Sequence, residues 1–157
     1  MKIDLTTAPT GAGTRYPEPH NAPCKARTWI ALGAAAGLTQ FGVNLVRLKP
    51  GVWSSQRHWH THEDEFAYLI EGELVLVTDE GETLCRAGDC AGFKGGVQNG
   101  HKFENRSDRD AVLLVVGSRL AEDSGEYSDI DMKFLDNRYQ GGGGYTTKDG
   151  KDLCPSS

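Results

Sequence analysis

The stretch EFAYLIEGELVLVTDEGETLCRAGD, residues 65–89, leaves a chain like this few folds to choose from. Short apolar runs alternate with Glu-Gly and Asp-Glu-Gly-Glu punctuation, the pattern of short strands joined in a meander by tight turns. AVLLVVGS (111–118) is too short and too rich in β-branched residues for a helix and reads as a core strand. VNLVRL (43–48) is another, stopped by Pro50-Gly51. The one stretch with helix-friendly alanines, ALGAAAGL (31–38), is interrupted by glycines. Strands at this spacing predict an all-β sandwich or barrel, and 20 glycines suit a fold made of turns.

Length and charge narrow the function classes. At 157 residues the chain fits one domain with a real core. A formal net charge of -5 offers no basic patch, so no nucleic-acid partner is expected. No apolar run approaches the roughly 20 residues of a membrane span. The opening stretch lacks the apolar segment of a signal peptide, which makes the cytoplasm the expected compartment. Cys24, Cys85, Cys90 and Cys154 form no CxxC pair and are expected to be free thiols there. The chain divides into an N-terminal arm (1–42), whose first 28 residues are rich in Pro, Thr and Gly, a barrel core (43–118) and a C-terminal extension (119–157). The extension contains YQGGGGYTTKDGKD, whose glycines lack the spacing and following helix of a phosphate loop.

The chemistry concentrates in RHWHTHEDEF (57–66), which holds three of the five histidines. On a strand His58 and His60 share one face and Trp59 takes the other. Two imidazoles about 7 Å apart along a strand can converge on one ion. A carboxylate is the natural further ligand, and Glu63, Asp64 and Glu65 are at hand. Alternation puts Glu65 on one face with Ala67 and Leu69, whereas Glu63 and Asp64 fall in a turn and are expected to face solvent. His62 is either a group near the site or turn decoration. His101, in NGHKFENRS, is either a third imidazole or a loop histidine.

These segments resemble the cupin family. Its first motif runs Gly, five residues, His-x-His, three or four residues, Glu, six residues, Gly; here Gly51, His58, His60, Glu65 and Gly72 stand in those places. Its second runs Gly, five residues, Pro-x-Gly, two residues, His, three residues, Asn; here Gly88, Gly96, His101 and Asn105 do so. Six residues rather than five follow Gly51, Lys94 replaces the proline, and four residues rather than two separate Gly96 from His101. The resemblance covers about residues 43–117 and implies a double-stranded β-helix (jelly-roll) barrel. It implies one divalent metal ion, of iron, manganese, nickel, zinc or copper, held by His58, His60, Glu65 and His101.

Three neutral imidazoles and one carboxylate leave such an ion positively charged, with positions open for substrate. The expected function is a metal-dependent one on a small organic molecule in the barrel, by oxygenase, isomerase or lyase chemistry. The alternative is a non-catalytic small-molecule binder or sensor. No general base stands out, and the catalytic residues are left unassigned. Free histidine protonates near pH 6.5, so metal affinity is expected to fall below that pH. The segment EFAYLIE is apolar on both faces, as is 111–116; an outer sheet face should be polar, so a homodimer is expected to cover it.

Overall fold

The computed structural model of the protein describes residues 1–153, and almost all its regular structure is β. The strands are β1 (Thr10–Ala12), β2 (Thr28–Ala31), β3 (Phe41–Leu48), β4 (His58–His60), β5 (Glu65–Glu71), β6 (Glu73–Thr78) and β7 (Gly81–Arg86). They continue with β8 (Cys90–Phe93), β9 (Lys102–Glu104), β10 (Ala111–Ser118), β11 (Gly125–Tyr127), β12 (Lys133–Phe134) and β13 (Tyr145–Thr146). The alanine-rich stretch yields only the four-residue helix α1 (Leu32–Ala35).

One layer is a six-stranded sheet in the order β1-β2-β3-β10-β5-β8. The other is made of two smaller sheets, β7-β6-β9 and β13-β12-β11-β4. Their seam is held by residues 51–58 running antiparallel to 101–105. Ser54 N–H donates to the Phe103 carbonyl at 2.8 Å, and His58 and His101 exchange backbone hydrogen bonds of 3.2 and 2.9 Å. Such directly opposed residues project side chains to the same face.

The stretch 65–89 is not the simple meander its punctuation suggests. β6 and β7 form a hairpin, but β5 and β6 lie in different layers. Gly72 makes the corner at φ +86°, where a Cβ would meet the Asp110 carbonyl oxygen at 2.6 Å. Alternation reports which face of a strand is buried; it does not report which strand lies beside it.

Two clusters of buried side chains hold the layers together. The barrel cluster includes Leu48, Ala67, Leu69, Ala111 and Leu113 from the six-stranded layer, with Leu74, Cys85 and Phe103 from the facing sheet. The second is built from Tyr16, Cys24, Tyr127, Met132 and Phe134, all outside residues 43–118. Cys24, Cys85 and Cys90 are free thiols, and Cys154 lies outside the described residues.

Candidate metal centre

β4 carries His58 and His60 on its inward face, and its neighbour β11 holds it in register, with Tyr127 opposite His58 and Gly125 opposite His60. Glu65 heads β5 in the facing layer, between Gly117 of β10 and Phe93 of β8. His101 enters across the seam from β4. The three imidazole Nε2 atoms converge on one oxygen: Glu65 Oε2 lies 2.9 Å from His101, 3.6 Å from His60 and 3.8 Å from His58. All four residues named from the sequence are therefore brought together at the mouth of the barrel.

The altered spacing before His101 does not displace it. Gly96 N–H donates to the His60 carbonyl at 2.9 Å, so the preceding loop is pinned to β4. The lengthened segment 97–100 projects as a loop, and Asn99 docks on the β6–β7 turn through the Asp79 N–H and the Glu80 carboxylate. His101 itself is 4% exposed and stacks on Phe93, with ring centroids 3.5 Å apart.

The donor set fits a divalent ion. His58 Nδ1 donates to the Gln56 carbonyl at 2.8 Å, and His60 Nδ1 donates to Asp123 Oδ2 at 2.8 Å. A neutral imidazole bonded through Nδ1–H presents its Nε2 lone pair, here into the shared space. Burial, reinforced by His101 and His60, pushes the His58 imidazolium down to about 3, so this ring is neutral at any ordinary pH. Burial opposes charge on His60 too, but Asp123 and Glu65 outweigh it and raise its pKa to about 9. Burial likewise disfavours the Glu65 carboxylate, yet bonds from His101 and His60 hold it well below its usual range.

Glu63 corrects the sequence reading. It is 4% exposed and faces the cavity rather than solvent. Its carboxylate accepts from Leu120 N–H at 2.8 Å and from Arg138 at 2.7 Å. Arg138 also donates to Asp123 at 2.7 Å. His60, Glu63 and Asp123 thus form a second group of ligand-type atoms, but a guanidinium already sits between its carboxylates. Asp64 is exposed and accepts from Gly95 N–H, and His62 is exposed, with Nδ1 2.9 Å from Thr61 Oγ1. Sequence reasoning missed Asp123, Arg138 and Tyr139. Asp123 sits among other acids in LAEDSGEYSDID, and nothing there marks the one that turns inward.

The centre opens on a cavity of about 880 Å³. Its walls include Trp29, Tyr139 and Tyr145, and four arginines, Arg15, Arg27, Arg119 and Arg138, reach it. Arg27 donates to the carbonyls of Gly13 and Ser54, and Arg119 to that of Leu38. Arg15 makes no hydrogen bond or ion pair among the described residues. None of these three has a carboxylate partner there, in contrast to Arg138.

Comparisons with known proteins agree with the fold. The family model described as "Cupin domain" matches residues 44–117. A solved structure of a sugar phosphate isomerase from a cupin superfamily, from Silicibacter pomeroyi DSS-3, is 47% identical. It covers 98% of this chain and 96% of its own, with a TM-score of 0.92. A curated protein named polyketide synthase CurC, from Streptomyces cyaneus, is 32% identical over 94 residues, 60% of this chain. That match spans 56% of the curated relative's own length. The polyketide cyclase RemF of Streptomyces resistomycificus shares the fold at 22% identity and a TM-score of 0.60, over 75% of this chain and 78% of its own.

Proposed function

The chain belongs to the cupin superfamily, with its double-stranded β-helix barrel, and on that premise we propose that it is a metal-dependent enzyme acting on a small anionic carbohydrate, of the sugar-phosphate isomerase type. The observation that carries the reading is the pairing of two features in one cavity. Three imidazoles and a carboxylate meet at one point, and three arginines without carboxylate partners among the described residues line the same space. Uncompensated cations facing a cavity favour an anionic ligand, most of all Arg27 and Arg119, which are half-buried and have lost water without gaining a counter-charge, whereas Arg15 is exposed. The name of the relative matched over nearly its whole length supports a phosphorylated sugar.

In this reading His58, His60, Glu65 and His101 hold one divalent ion, of iron, manganese, nickel, zinc or copper, all of which suit imidazole and carboxylate ligands. When bound, such an ion supplies Lewis acidity toward a carbonyl or hydroxyl oxygen. Arg15, Arg27 and Arg119 bind the anionic end and so orient the sugar. Trp29, Tyr139 and Tyr145 flank the ligand and limit water.

The test is metal analysis of freshly purified protein, then a panel of aldose and ketose phosphates with that metal, followed by NMR. Interconversion of a phosphorylated sugar, with its unphosphorylated form inert, is expected. Tight binding without turnover would favour a non-catalytic sensor instead.

The proposal extends to the assembly and compartment. On the outer face of the six-stranded sheet Ile30, Leu45, Leu114 and Tyr68 stand in one cross-strand row, and Val43, Val116 and Phe66 in the next. A second copy, packing the same face against it, would bury both rows; light scattering of the protein and of Tyr68→Glu tests this. Cytoplasmic residence is supported by the three free thiols and is checked by thiol titration of unreduced protein from cells.

A further inference from the structure

We infer that Asp123, which lies beyond the segment matched by the family, is the positioning residue that commits His60 to ligation through Nε2, and that Arg138 holds Asp123 in place for this role. The inference rests on the metal ligands proposed above but not on any substrate.

Asp123 is fully buried, and both its oxygens are committed. Oδ1 accepts from the backbone N–H groups of His62 at 2.9 Å and Glu63 at 3.0 Å. Oδ2 accepts from His60 Nδ1 at 2.8 Å and from Arg138 at 2.7 Å. Three unambiguous donors, two backbone N–H groups and the Arg138 guanidinium, keep the carboxylate ionised and purely an acceptor, so His60 Nδ1 must carry hydrogen. The neutral ring then has its lone pair at Nε2, toward Glu65. The bonds to His62 and Glu63 act on a second quantity. They fix the loop between His60 and Glu65, and with it the distance between two ligands that belong to opposite layers. His58 gets the same tautomer from the Gln56 carbonyl, which no substitution removes; for His60 the matter is decided by one side chain.

Two substitutions separate positioning from mere support. In Asp123→Asn the two backbone N–H groups claim the amide oxygen, which turns the amide NH₂ toward His60. Nδ1 must then accept, hydrogen moves to Nε2, and the ligating lone pair is lost. Asp123→Ala removes more packing and more hydrogen bonds but leaves the ring free to choose. The asparagine variant is therefore expected to be the more heat-stable of the two and the poorer at binding zinc or cobalt. Its affinity is expected to fall about 10- to 100-fold below that of the unaltered protein.

Metal titration, thermal melts and the cobalt absorption spectrum give these readouts. Nitrogen NMR of metal-free protein, followed with rising pH until the shifts are those of the neutral ring, reads the tautomer directly, with Nδ1–H expected in the unaltered protein and Nε2–H in Asp123→Asn. Unaltered affinity in Asp123→Asn, or affinity that simply follows stability through both variants, overturns the inference. His58→Ala is the control. If it binds metal as well as the unaltered protein, the ligand set itself is wrong, and the inference falls with it.

Discussion

Two buried clusters brace the same four ligands from opposite sides. His101 leans on the barrel: it stacks on Phe93, which meets Phe103 edge-on at 6.3 Å. His58 and His60 lean on the arm and extension: His60 lies 5.1 Å from the Phe134 ring, and His58 5.8 Å from Tyr127 and 6.1 Å from Phe134. Beyond those rings stand Tyr16 and Tyr145, drawn from the two ends of the chain. The barrel cluster is mostly aliphatic, with Phe103 and Cys85 among its members; the other is mostly aromatic, carries tyrosine hydroxyls and has the Arg138 guanidinium over the Phe134 ring. One side supplies a rigid frame, and the other supplies the groups that set charge and tautomer.

The harshest way to break the comparison is at the centre itself. His58→Ala and His60→Ala are each expected to abolish metal uptake, read by elemental analysis, while circular dichroism stays that of a β protein. Next in size, Leu74→Ala in the barrel cluster is expected to cost about 2–5 kcal/mol in urea unfolding and to leave metal stoichiometry unchanged in the folded fraction. Phe134→Leu keeps most of the volume and should cost less than about 1.5 kcal/mol. It is nevertheless expected to weaken metal binding several-fold, because the ring that holds His60 upright is gone. Equal effects of these two substitutions on metal affinity would erase the distinction between the clusters.

Acidity sharpens it further. Against the opposing effect of burial, Asp123 and Glu65 raise the His60 pKa to about 9 in the metal-free protein, so metal uptake below that pH is expected to expel its proton. Affinity is expected to rise close to tenfold per pH unit up to about 9, rather than to level off above 6.5 as the sequence alone suggests. Calorimetry in buffers of different ionisation enthalpy checks the one proton released. The same raised pKa stabilises the metal-free fold fully below about 6.5, and that contribution is lost as pH climbs through 9. His58 has the opposite sign: its lowered pKa favours the fold above about 6.5, and the benefit is lost as pH falls toward 3. The smallest expected effect is that of His62→Ala, within about 0.5 kcal/mol of stability and with full metal occupancy, since that ring is exposed.

What could be read from the sequence follows the same division. His58, His60 and Leu69 declare themselves because strand alternation is local: each is placed by neighbours two residues away; Glu65 is selected by the cupin spacing, and alternation agrees. Gly51, after Pro50, and Gly72, after Glu71, declare themselves as turns. Asp123 and Arg138 do not, because they reach His60 and Glu63 across 63 and 75 residues of sequence, and acids and arginines at a loop surface look the same as those turned inward. Glu63 was misjudged for the same reason: it sits in a turn, and only its distant arginine makes burial tolerable. Tyr16 and Tyr127 meet edge-on at 5.4 Å from segments whose Pro- and Asp-rich composition gives no hint of a core.

Glu65 and the histidines stand on opposite walls of the barrel, and that has a mechanical consequence. Deep in the barrel the walls are spaced by Leu69, Leu74 and Leu113, whose contacts have a fixed van der Waals thickness. At the mouth they are spaced by a polar contact, Glu65 to His101 at 2.9 Å, between two groups that can each ligate an ion. The base is thus closed by groups that ignore pH and ions, and the lip by groups that respond to both, so an ion bound at the centre is expected to alter the spacing of the lip and leave that of the base unchanged.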